Sequence, residues 1–145
     1  MADLQLEPGG SLDSALGHEE IGLARAESLI ETPLSPSVVD LHGCVITFEV
    51  PAELDVWVVC RVPYLGSVRR GSLVTVYLTD KLGNVTDASA LKAATRRHVG
   101  FVTLDELVPA GSGTVTRKLR GQASRGAGYA NLEGLGRVTM DAYIR

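Results

Sequence analysis

The chain has 145 residues, 45% of them hydrophobic and 21% charged, with a formal net charge of −3. That length suits one domain with room for an added arm, and a chain of this size buries roughly two thirds of its unfolded surface. The acidic balance argues against non-specific nucleic-acid binding, and the absence of any apolar run of about 18 residues argues against a membrane-spanning helix.

The opening "MADLQLEPGGSLDSALG" has no sustained hydrophobic period and carries Pro8, Gly9, Gly10 and Gly17. With neither a basic start nor an apolar stretch, it does not read as a secretory signal. It reads instead as an extended arm that cannot bury enough of itself to fold alone. "HEEIGLARAESLI" is ambiguous, because good helical propensity is interrupted by Gly22, and "ETPLSPSVVD", with two prolines, is a loop or an edge segment. The expected division is an N-terminal anchoring arm over residues 1–35 and a β domain over 36–145.

From residue 38 the pattern is that of strands. In "VVDLHGCVITFEV", Val45, Thr47 and Glu49 alternate with Ile46, Phe48 and Val50, and Pro51 ends the run. "DVWVVCRVPY" follows and holds the single tryptophan, Trp57, which reads as core among its valines. After the turn "GSVRRGS", "LVTVYLTD" has strong β composition, and "KLGN" turns the chain with Gly83 and Asn84 suited to positive φ. A short helical turn is expected at 88–94, then a strand through Val99, Phe101 and Val102, with "TLDELVPAGSG" as a loop. "GTVTRKLRGQAS" sets Val115, Arg117 and Leu119 against Thr116, Lys118 and Arg120. Beyond the glycine-rich "RGAGYANLEGLG", "RVTMDAYIR" places Val138, Met140, Ala142 and Ile144 on one face. About eight short strands with frequent turns predict an all-β antiparallel sandwich or barrel rather than an α/β fold.

No constellation dictates a chemistry. His18, His42 and His98 fall in separate segments, and neither Cys44 nor Cys60 has a partner at metal-ligand spacing. Both cysteines read as buried free thiols, with a disulfide between adjacent strands as the alternative. "GSGT" lacks the lysine of a phosphate loop, and "GAGYANLEG" has no crossover helix behind it. Asp80, Asn84 and Asp87 surround a turn where calcium could sit, but they read as a polar hairpin tip. Catalytic, cofactor-binding and metal residues are therefore expected to be none, and the chain is expected not to be an enzyme. The ends differ in charge: residues 1–35 carry seven acids against Arg25, a net of −6, and residues 111–145 carry six bases against Glu133 and Asp141, a net of +4. That asymmetry suits docking within or between copies, or plain solubility.

Taken in order, "VVDLHGCVITFEVPA", the turn Pro109–Ala110–Gly111, the strand Thr114 to Leu119 and the closing strand Val138 to Ile144 resemble jelly-roll virion proteins of tailed phages. Cys44, Cys60 and the helix-like 88–98 loop depart from that pattern. The resemblance implies a two-sheet jelly roll similar to the tumour-necrosis-factor fold, often a homotrimer and without cofactors. It further implies a virion location after synthesis in the host cytoplasm. The role implied is a capsid decoration protein bound to the phage major capsid protein or a neighbouring virion protein, with no nucleic acid and no membrane involved. A minor tail or fibre component with a receptor- or carbohydrate-binding jelly roll is the alternative. The expected partner-binding residues are Leu4, Leu6 and Leu12 as apolar anchors, with Glu19 and Glu20 set against a basic partner.

Overall fold

The computed structural model describes residues 21–93 and 98–144. Ten strands are formed: β1 (Ile21–Ser28), β2 (Thr32–Leu34), β3 (Val39–Val50), β4 (Val56–Ser67), β5 (Leu73–Thr79), β6 (Val85–Lys92), β7 (His98–Val108), β8 (Gly113–Ala123), β9 (Gly128–Ala130) and β10 (Val138–Ile144). One antiparallel sheet carries β1, β10, β4 and β7 side by side; the other carries β3, β8, β5 and β6. Apart from the β5–β6 hairpin, successive long strands step from one sheet to the other, which is the winding of a jelly roll. The count is ten rather than about eight, because the three-residue strands β9 and β2 extend the first sheet beyond β4.

Strand alternation builds the core directly. β4 turns Val56, Val58, Cys60 and Val62 inward, and β10 answers with Val138, Met140, Ala142 and Ile144, all buried. From the second sheet come Ile46, Phe48, Val74, Val76, Leu78 and Leu119. Cys44 and Cys60 lie in this core as free thiols. Burial pushes both up to about 12, with the neighbouring Cys44 a further cause at Cys60.

Three sequence expectations change. Residues 85–92, read in part as a helical turn, form β6; the ladder with β5 overrides the helical preference of "ASALKAA". Residues 103–108, read as a loop, complete β7, since Leu104 and Val108 fill core positions opposite β4. The ambiguous stretch before residue 30 is strand β1 from Ile21 onward, paired with β10. The arm expected over residues 1–35 thus overlaps the sheet, and its residues 21–28 and 32–34 are β1 and β2.

The open sides of the sandwich are tied by side chains. At the β6–β7 side, Asp87 Oδ2 accepts the backbone N–H of Asp105 at 2.9 Å, which occupies a donor on the edge of β7. Nearby, Arg117 of β8 donates to both oxygens of Glu106 of β7, at 2.7 and 2.8 Å, so an ion pair bridges the two sheets. The buried Asn131 ties the end of β1 to the loop before β10: its Nδ2 donates to the Ser28 carbonyl and its Oδ1 accepts Gly136 N–H.

Candidate interaction site on the outer face of the first sheet

The two outer faces differ in chemistry. On the second sheet the outward side chains bond to one another: Thr47 to Thr116, Thr114 to Glu49, Lys118 and Arg120 to Asp40, and Tyr77 to Gln122. Those residues form a polar surface whose side chains satisfy each other.

The first sheet is built otherwise. Because Val56 and Val58 face inward, Trp57 between them must face outward. The expectation that Trp57 is core is therefore corrected: an unbroken run of apolar residues, Val56 to Cys60, hid the alternation. Trp57 is half-buried and stands in register with Tyr143 of β10 on one side and Leu107 of β7 on the other. Tyr143 is in turn opposite Gly22 of β1, where a bulge between Gly22 and Ala24 displaces the edge strand. An aromatic pair and a leucine thus run in one row across adjacent strands.

Two hollows flank this row. One, of about 630 Å³, is lined by Gly22, Leu23, Arg25, Val59, Asp141 and Tyr143. The second, of about 340 Å³, is lined by Glu53, Leu54, Asp55, Trp57 and Leu107. In the first, Arg25 donates to Asp141 at 2.6 Å and to Glu27 at 2.7 Å, and its hydrogen bonds to Glu27 and then Asp141 raise its already high pKa. Further along the face the guanidinium of Arg61 lies 4.5 Å from the Phe101 ring centre, and Phe101 is 57% exposed.

The anchors expected from sequence, Leu4, Leu6, Leu12, Glu19 and Glu20, lie outside the described residues. The turn around Asp80 is closed on itself. Asp80 accepts the backbone N–H groups of Leu82 and Asn84 and the Asn84 side chain, and the bonds from Asn84 lead in lowering its pKa. Asp87 points instead to β7, so the three residues do not converge. Among the described residues, no group of three or more His, Cys, Asp or Glu is placed to hold a metal ion. Nor is any helix among them long and apolar enough to cross a membrane. Of the basic strand "TRKLRGQASR", Arg117 turns inward to Glu106, and Lys118 and Arg120 bond to Asp40. Sequence reasoning missed the Trp57–Tyr143 pair, whose two members are far apart in the chain and meet only through the β10–β4 register.

No protein-family model and no curated protein matches the chain. Solved structures similar to it include one of Bacillus endospore appendages, disulfide-linked pili. That likeness has a TM-score of 0.43 and 7% identity over 99% of this chain and 97% of that one. Another is the capsid asymmetric unit of cyanophage Pam1, with a TM-score of 0.44 and 12% identity over 99% and 91%. The VP2 subviral particle of infectious bursal disease virus gives 0.39 and 15% over 87% and 37%. At these values no role passes to this chain, and the jelly roll rests on its own strand order.

Proposed function

We propose that the chain is a non-enzymatic structural protein of a phage virion, a capsid decoration protein that binds the major capsid shell as a homotrimer. The observation that carries this reading is the place of β1. It is an edge strand, paired among the described residues with β10 alone. In this reading Leu4, Leu6 and Leu12 serve as apolar anchors and Glu19 and Glu20 face a basic partner. The order of strands and the turn at Pro109–Gly111 support the same reading, since they agree with the sequence resemblance. A minor tail or fibre component is the second reading, favoured by the outward aromatic pair.

The test is co-sedimentation of the full chain with purified, undecorated phage capsids, together with its mass by light scattering. A mass of three chains of 15.4 kDa each, and binding lost in a Leu4→Ser, Leu6→Ser, Leu12→Ser variant of unchanged circular dichroism, is expected. A monomer, or binding indifferent to the three substitutions, overturns the proposal.

A further inference from the structure

We infer that a basic corner of the sandwich, formed by Arg69, Arg70, Arg125 and Lys92, is a docking site for the acidic N-terminal segment of a second copy. The inference deepens the virion reading and rests on its homotrimer, because it names the basic partner that the acids of the arm require.

Three connections meet at this corner. The turn after β4 carries Arg69 and Arg70, the turn after β8 carries Arg125, and β6 ends on Lys92, all four exposed. Hydrogen bonds lock the connections together. Gly71 N–H donates to the Ala93 carbonyl at 2.6 Å, and Ser72 Oγ accepts the Arg125 N–H at 3.1 Å. Arg125 Nη1 reaches the Arg70 carbonyl at 3.5 Å. No Asp or Glu occurs in residues 64–73, 92–100 or 122–130. No ion pair among the described residues involves any of the four cations. Elsewhere the arginines are engaged: Arg25, Arg117, Arg120 and Arg137 bond to carboxylates, and Arg61 lies over Phe101. Four like charges so placed repel one another until an anion joins them. Guanidinium groups suit carboxylates, which they hold through paired hydrogen bonds.

Residues 1–20 have the matching chemistry, with Asp3, Glu7, Asp13, Glu19 and Glu20 and not one lysine or arginine. The chain's own corner is out of reach for most of these acids. Ile21 is in register with Ile144, at the end of the sheet where β4 begins, and the arginines lie beyond Ser67, where β4 ends. The length of β4 separates the two ends by about 40 Å. Glu19 and Glu20 adjoin Ile21, and Asp13 precedes it by a stretch that spans at most about 30 Å, so all three fall short. A second copy set head to tail brings its corner to all five acids. The β3–β4 loop at the same end adds the exposed Glu53 and Asp55. Such a contact is heterologous, and three of them close a ring. A nucleic acid fits less well, since residues 67–72 and 124–127 hold no aromatic side chain on which a base could stack. Single exposed ion pairs contribute little, so the contact depends on several at once.

The test compares full-length chains by light scattering in about 0.1 M salt, where exposed charges still act over about 10 Å. The wild type is expected at the mass of three chains. Arg69→Glu, Arg70→Glu and Arg125→Glu together are expected to lower that mass threefold, with circular dichroism unchanged. Asp13→Lys, Glu19→Lys and Glu20→Lys together are expected to do the same. A chain carrying all six substitutions is expected to recover the trimer, which a folding defect would not allow. A trimer indifferent to both sets overturns the inference and leaves the virion reading standing. So does a trimer lost in both variants and not regained with all six. An arginine variant that stays trimeric but loses binding to a labelled oligonucleotide also overturns it, and gives the corner to nucleic acid. A trimer that behaves as expected but does not sediment with capsids overturns the virion reading alone.

Discussion

Glu106 and Arg117 show at the scale of single residues how a charge is kept inside the sandwich. Both are about 15% exposed, at 15% and 14%, and they meet with two parallel hydrogen bonds between the sheets. Burial works to raise the Glu106 carboxyl, but hydrogen bonds from Arg117 and Thr86 and the charge of Arg117 outweigh it, leaving the pKa below its ordinary value. A carboxyl so depressed stabilises the fold fully above its unfolded pKa and loses that contribution as pH falls through the folded one. Glu106→Gln is expected to cost about 3 kcal/mol at neutral pH by urea unfolding, because it leaves Arg117 buried and unpaired. The gap to wild type should narrow in acid, below about pH 4. Glu106→Leu with Arg117→Met is expected to unfold within about 1 kcal/mol of wild type. The two thiols make a second residue-scale case. With Cys44 and Cys60 pushed up to about 12 by burial, neither should react with iodoacetamide at pH 8 until urea is added, as mass spectrometry would read. Arg117 was visible in the sequence as a charge at a core position of "VTRKL". Its partner was not, because Glu106 lies in a segment that reads as a loop.

At the scale of elements, strands declared by β-branched alternation were legible, and those made by packing were not. β3, β5 and β8 carry their pattern openly, as in Val45-Ile46-Thr47-Phe48. β6 does not, since its residues Asp87 to Leu91 include two alanines and a serine, and only the β5 ladder makes it a strand. β9 is the extreme case, three residues fixed by close contact. A Cβ on Gly128 would stand 2.6 Å from Ala123 Cβ and 3.2 Å from Leu34 Cβ, both on neighbouring elements. Gly128→Ala is therefore expected to destabilise by about 1–3 kcal/mol, measured by thermal unfolding. Gly22→Ala, where a Cβ meets nothing within 4 Å, is the control and should stay within about 0.5 kcal/mol. The turn at Lys81–Asn84 was readable from its residues, and Gly83 has a φ of 93° as its type demands. Asn84 contributes through its side-chain bond to Asp80 instead.

For the whole molecule, turn spacing and strand number foretold an antiparallel sandwich or barrel, and the two-sheet jelly-roll winding agrees with what the resemblance implied. The outward face of the first sheet was illegible, because "VWVVC" is apolar at every position and gives no sign of which residues turn away. Of all the pairings, that of β1 with β10 reaches furthest along the chain: Arg25 and Asp141 are 116 residues apart. The seat between β1 and β4 can therefore be filled only after β10 itself has left the ribosome. Until then two strands face each other across an empty groove with their hydrogen-bonding groups unpaired. Pairings between such distant segments form slowly, so the nascent protein passes through a state open to whichever strand arrives first. At high expression that strand can be the β10 of a neighbour, which gives an exchanged dimer with the same hydrogen bonds as the native fold. A loss of β10 by early termination leaves the groove permanently open, and such chains would be cleared or would aggregate.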